Sequence, residues 1–276
     1  MRNVLTLNRL CALAVALVAS VHGAESAALP ITDTYYGGND HGYGDRIGGA
    51  EVEVQGASIL RMGTMVTVDV FTNLAGHADE KLYPAYTNRA PSKLNGVSMG
   101  IGYGDLFLST AWTPYGADAH HVHDNAANGT HWTYAFALGD DRWTDAGGTG
   151  ALYALNGATN DANALLAEDF LSGAVYRNGQ EIAVDRRASS VSKLANAATW
   201  SVVQTPGAQH LHFVFDVAGT ALANSEYIAL HWGMSCGNDV VEGQQYVSEP
   251  ASLTLALTAL AGYWRRHKER PQRAFV

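Results

Sequence analysis

Apolar and polar side chains alternate with a period of two through the middle of the chain. From Thr64 to Thr72, Val66, Val68 and Val70 fall on one face and Thr67 and Asp69 on the other. From His210 to Asp216, Leu211, Phe213 and Phe215 oppose His210, His212 and Asp216, and from Thr130 to Ala137, Trp132, Tyr134 and Phe136 oppose His131, Thr133 and Ala135. This periodicity predicts antiparallel strands with one buried and one wet face. Asn-Gly pairs at 95–96, 128–129, 156–157 and 178–179 supply the turns. The last pair predicts a hairpin joining 174–177 to 180–184. Only Asn160 to Leu171, with Leu165, Leu166 and Phe170, reads as helical, as a short insertion. The pattern predicts an all-β chain: an antiparallel β-sandwich of jelly-roll or lectin-like type with a short helical insertion.

The two ends read differently. Arg2 and Arg9 precede an apolar stretch from Leu10 to Val21 that ends in small residues. That is the layout of a secretory signal peptide, cut after Gly23 or Ala28. At the other end come Ser248-Glu249-Pro250-Ala251, an apolar run from Ser252 to Trp264, and Arg265-Arg266-His267-Lys268-Glu269-Arg270. The run is about 13 residues, about 20 Å as a helix against a hydrocarbon core of about 30 Å, so it is short for a permanent span. The basic cluster behind it would stay cytoplasmic.

This tripartite tail resembles the PEP-CTERM sorting signal of Gram-negative bacteria that make exopolysaccharide, with Ser248-Glu249-Pro250 where the family has Pro-Glu-Pro. The segments Tyr36-Gly37-Gly38-Asn39-Asp40, 104–110 and 232–239 also resemble the core of other PEP-CTERM proteins, which carries no assigned activity. The resemblance implies export, transient inner-membrane insertion through a C-terminal sorting helix, and cleavage near Ser248, Glu249, Pro250 and Ala251 by an exosortase-type protease, with Arg265 and Arg266 as the stop. It also implies delivery to the cell surface or an extracellular, biofilm-type matrix, with exopolysaccharide as a partner. The expected organisation is a signal peptide over 1–28, a β-sandwich domain over 29–247, the sorting signal over 248–270 and a tail over 271–276.

Removing both ends changes the electrostatics. The whole chain carries a net charge of −9, but residues 29–247 keep 10 of the 17 Lys and Arg and 23 of the 26 Asp and Glu, a net charge of −13. Such a surface repels nucleic acid and suits cations. Of the two cysteines, Cys11 lies in the expected signal peptide, leaving Cys236 as a buried small hydrophobe or a thiol that pairs between molecules.

Several residues carry candidate chemistry. Asn39, Asp40 and Asp45 lie in a glycine-rich stretch whose oxygens suit calcium, with Asp140, Asp141 and Asp145 as a second loop. Turn capping explains the same residues without an ion. His121 and His123, and His210 and His212, each point the same way if extended, so two strands would offer four imidazoles to a transition metal. The alternative is that all four face solvent. Trp112 and Trp143, beside turn residues, are candidate sugar contacts. Gly96-Val97-Ser98-Met99-Gly100 has the spacing of a nucleophile elbow but lacks a strand before and a helix after it. The expected function is therefore a secreted, exosortase-processed surface or matrix protein without catalysis. A secreted glycan- or ester-active enzyme and a metal-binding jelly roll are the alternatives.

Overall fold

The computed structural model describes residues 31–38, 52–79, 100–170 and 179–247. Asn39, Asp40, Asp45, Ser98, the expected signal peptide and everything from Ser248 onward, including Arg265 and Arg266, lie outside the described residues. Fourteen strands run through them in chain order: β1 (Ile31–Thr32), β2 (Val54–Met62), β3 (Met65–Thr72), β4 (Leu106–Ser109), β5 (Tyr134–Ala137), β6 (Gly148–Thr149), β7 (Ala151–Leu155), β8 (Ala164–Leu166), β9 (Glu181–Val184), β10 (Val191–Lys193), β11 (Ala198–Val203), β12 (His210–Asp216), β13 (Tyr227–Gly233) and β14 (Val240–Tyr246). The fold is all-β. One antiparallel sheet has the order β1-β2-β3-β12-β11-β6, a second β10-β7-β5-β4-β13-β14, and β8 pairs with β9 in a third.

The two large sheets turn apolar faces toward a shared core. Val66, Val68 and Val70 of β3 and Leu211, Phe213 and Phe215 of β12 are fully buried there, together with Leu106, Phe136, Leu230 and Trp232 of the second sheet. Phe136 meets Phe213 and Phe215 with ring centroids 5.3 and 5.6 Å apart, so aromatic edges cross the gap between the sheets. In β2 the alternation slips by one residue. Val54, Ala57 and Ile59 are buried because a bulge between Val54 and Gly56 resets the register, and Gly56 takes the positive φ of 138° that this needs.

The sheets differ on their outer faces. On the first, Thr67, Asp69 and Phe71 of β3 and His210, His212 and Val214 of β12 are half-exposed, the wet face that the alternation predicts. On the second, Phe107, Ala135, Ala137, Leu155 and Ala229 are buried under Trp132, Ala164 and Val184. The β8–β9 pair and the 110–133 loop therefore form a further layer, and β4 and β9 read as uninterrupted buried runs.

Two sequence expectations change. The stretch 160–171 is not one helix: β8 occupies Ala164–Leu166, and only Ala167–Phe170 (α1) is helical. Leu165 is held in register against Ala183 and buried beside Phe170, so sheet pairing overrides helical spacing. Trp132 does not share a face with Phe136. β5 begins only at Tyr134, after Thr133 donates to Leu108 O, and Trp132 packs on the outer side of the sheet that Phe136 faces from within. Of the expected 174–184 hairpin, the 174–177 arm lies outside the described residues. Gly179 has φ +73° and leads into β9, which pairs with β8.

Candidate functional site

Two groups of titratable side chains gather in this framework, one sealed and one open. The sealed group lies between the second sheet and its covering layer. β13 is buried along nearly its whole length, and Ala229 and His231 share its outer side. His231 is fully buried, with Nε2 2.8 Å from Glu181 O and Nδ1 3.0 Å from Glu242 Oε2. A carbonyl oxygen only accepts, so Nε2 carries a hydrogen. The contact with Glu242 then holds one more proton, on the imidazole or on the carboxyl, and in either arrangement the pair is neutral as a whole.

Both carboxyl groups around His231 are tied further. Glu242 Oε1 accepts from Trp112 Nε1 at 2.7 Å, and Glu181 Oε1 accepts from Asn160 Nδ2 at 2.7 Å. Asn160 also donates to Thr130 O and accepts from Trp132 N, which stitches the covering loop to the β8–β9 layer. Burial pushes the Glu181 carboxyl up from 4.5 to about 7, although the neighbouring His231 pulls the other way. Asp124 is likewise pushed up to about 7, by burial first and then by the Glu242 charge; its Oδ2 accepts from Tyr115 N at 3.0 Å. With His231, Glu181 and Glu242 almost wholly out of water, this network holds the covering layer to the second sheet.

A second sealed device ties the 3-10 turn Gly139–Trp143 to the sheets. Asp105 Oδ1 accepts from Leu138 N at 2.9 Å and from Arg142 Nη2 at 2.8 Å, and its Oδ2 accepts from Val184 N at 2.8 Å. Arg142 also donates to Tyr103 O and lies over the Phe170 ring. Burial, reinforced by a hydrogen bond to Asp145, raises the Tyr103 hydroxyl well above its ordinary value.

The open group sits on the wet face of the first sheet. His212 is directly across from Asp69 in the β12–β3 register, and His210 lies two residues along the same face, opposite Phe71. His212 Nδ1 is 2.6 Å and His210 Nε2 3.7 Å from Asp69 Oδ1. Among the described residues this is the only set of three metal-ligating side chains whose ligand atoms all lie within 4.8 Å of one another.

The other candidates are dispersed. His121 and His123 are not on a strand: the chain turns there, His121 takes a positive φ of 51°, and its ring lies edge-on to Trp112 at 5.3 Å. His123 is exposed in the next turn, and neither joins His210 and His212 in the three-residue set. Trp112 is half-buried and spends its indole N–H on Glu242, while Trp143, also half-buried, packs against Gly102 and Phe170. In the second calcium loop, Asp140 pairs with Arg186 at 3.3 Å while Asp145 serves Tyr103 and Ala78, so their carboxylates face different partners.

Sequence reasoning left out Asp69 as a site residue and, apart from Trp112, the sealed network. Asp69 was legible as a polar-face residue of β3, but its meeting with His212 depends on the pairing of strands 143 residues apart. Asp216, the carboxylate nearest the histidines in sequence, instead accepts from Ala218 N at the strand end. Cys236 is buried in the shared core. The chain matches no family model, no curated protein and no solved structure.

Proposed function

We propose that the chain is an exported, exosortase-processed protein of the cell surface or extracellular matrix. In this reading residues 29–247 form one β-sandwich of jelly-roll or lectin-like type that binds polysaccharide or matrix partners without catalysis. The carrying observation is the order of Glu249-Pro250-Ala251, apolar run and Arg265-Arg266 cluster, preceded at the other end of the chain by a signal-peptide pattern. The position of the last strand supports it. β14 ends at Tyr246, and Val247 is buried and donates to Glu226 O at 2.8 Å, so a cut at 248–251 would leave every described strand whole.

For sugar contact, the tyrosines at the start of β13 and the end of β14 are better placed than Trp112 and Trp143. Tyr227 and Tyr246 are directly opposite in the register, 41% and 57% exposed, with ring centroids 5.3 Å apart. The two exposed rings meet edge to face at 68°, and their outward surfaces offer aromatic contact to pyranose rings.

Intact-mass analysis of protein recovered from its native host tests the processing. The expected mass lacks everything beyond a cut within 248–251; a mass that still includes Arg265 and Arg266 overturns it. A glycan array on the same material, with Tyr227→Ala and Tyr246→Ala in parallel, tests the binding surface.

A further inference from the structure

We infer that Asp69, His210 and His212 form a binding site for a divalent transition metal of the zinc type on the wet face of the first sheet. The site stands independently of the processing reading, and it uses one carboxylate and two imidazoles from two neighbouring strands.

The local geometry suits an ion better than it suits hydrogen bonding alone. Zinc holds nitrogen and oxygen ligands at about 2.0–2.2 Å, which in a tetrahedral shell separates ligand atoms by about 3.3–3.5 Å. The separations from Asp69 Oδ1, 2.6 Å to His212 Nδ1 and 3.7 Å to His210 Nε2, bracket that value, and all three ligand atoms lie within 4.8 Å of one another, so side-chain adjustments of about 1 Å bring them into range. Strand pairing fixes the backbone beneath all three residues and sets their spacing before any ion arrives.

His210 supplies the more telling detail. Its Nδ1 is 2.8 Å from Ala208 O, and a carbonyl oxygen accepts only, so Nδ1 carries the hydrogen. In the neutral ring Nε2 is then a bare lone pair, and it faces Asp69 Oδ1, another acceptor, at 3.7 Å. Two acceptors aimed at each other leave a place between them for a cation, either a metal ion or the second proton of an imidazolium. A backbone carbonyl that fixes the tautomer of the distal nitrogen is also the usual outer-shell support of a metal-bound imidazole. The Phe71 ring, 5.0 Å from that of His210, braces the imidazole from one side. On the other ligand, the hydrogen on His212 Nδ1 that now joins it to Asp69 would move to Nε2 as the metal takes its place, a change of tautomer in the neutral ring.

Access and charge agree with this assignment. The side chains of His210, Asp69 and His212 are 17%, 26% and 37% exposed, enough for an ion to enter and for water to take the fourth position. The net charge of −13 over residues 29–247 draws cations to the surface.

The test is zinc titration of the chelator-stripped full chain, read by competition with a metal-sensitive dye, with the melting temperature measured alongside. One tight zinc per chain is expected, with a rise in melting temperature. Asp69→Asn, which keeps the shape and the contact with His212, and His212→Ala should each weaken binding at least about tenfold, since even outer-shell partners are worth 10–100-fold. The control pair His121→Ala and His123→Ala should leave affinity unchanged. A wild-type chain that takes up no zinc overturns the proposal, and so does full stoichiometry in the His210→Ala, His212→Ala double variant. Loss of binding only in the His121 and His123 control moves the metal to the loop and overturns it equally.

Discussion

Replacing Glu181 with glutamine should turn a pH-dependent stability into a flatter one, and the size of the change follows from where the residue sits. Glu181 is buried on β9, with His231 of β13, Glu242 of β14 and Asp124 of the covering loop as its charged neighbours. Its carboxyl titrates near 4.5 in the unfolded chain and at about 7 in the fold. A folded-state value raised above the unfolded one means that the fold binds the extra proton, so this contribution is complete below pH 4.5 and is lost as pH rises through 7. With about 1.4 kcal/mol per unit, the loss amounts to about 3 kcal/mol in total and about 2.5 kcal/mol between pH 5 and pH 8. Glutamine is nearly isosteric, still accepts from Asn160, and never ionises. Relative to wild type, Glu181→Gln should therefore gain about 2.5 kcal/mol on going from pH 5 to pH 8. At about 2–4 °C per kcal/mol for a unit of this size, that is a relative shift of about 5–10 °C in melting temperature. The assay is thermal unfolding of both chains at half-unit pH steps. Parallel curves from pH 5 to pH 8 would show that Glu181 does not take up a proton in the fold, and the reasoning would fail.

Arg142→Met should cost about 3–5 kcal/mol in urea unfolding, because it leaves the Asp105 charge buried without its cation; Asp105→Asn combined with Arg142→Met should recover part of that loss. Gly104→Ala should abolish stable folding or lower the melting temperature sharply, since a methyl group there would run into Gly233 O, a backbone atom with nowhere to move. Near-wild-type melting would refute the close approach of these two segments.

The legible parts of the fold were the strands with one wet face. β3 and β12 alternate because water lies on one side of them, and the alternation gave both their buried residues and the common direction of His210 and His212. β4, β9 and β13 are buried on both sides, so their sequences carry no alternation to read. His231, Glu181 and Glu242 belong to β13, β9 and β14, where each looks like an isolated polar residue in an apolar or mixed run, and only the layer above the second sheet explains why three charged groups sit out of water. The 160–171 stretch misled for a related reason: Leu165, Leu166 and Phe170 fit a helical face, yet pairing of β8 with β9 decided the conformation. The fixed turn of His121 could not be foreseen either, because a left-handed histidine has no sequence signature of its own.

The covering layer gives this protein a front and a back. On the second sheet, an outward-pointing side chain is still an interior one, so a charge introduced at Ala135, Ala137 or Ala229 would have to be buried, at a cost that a small or apolar replacement avoids. The outer face of the first sheet carries no such constraint around Thr67 and Thr199, which flank Val214 rather than the histidines. Among the described residues that face is where new surface chemistry can accumulate without disturbing the core, and where a label, an affinity handle or a grafted binding patch would be tolerated best.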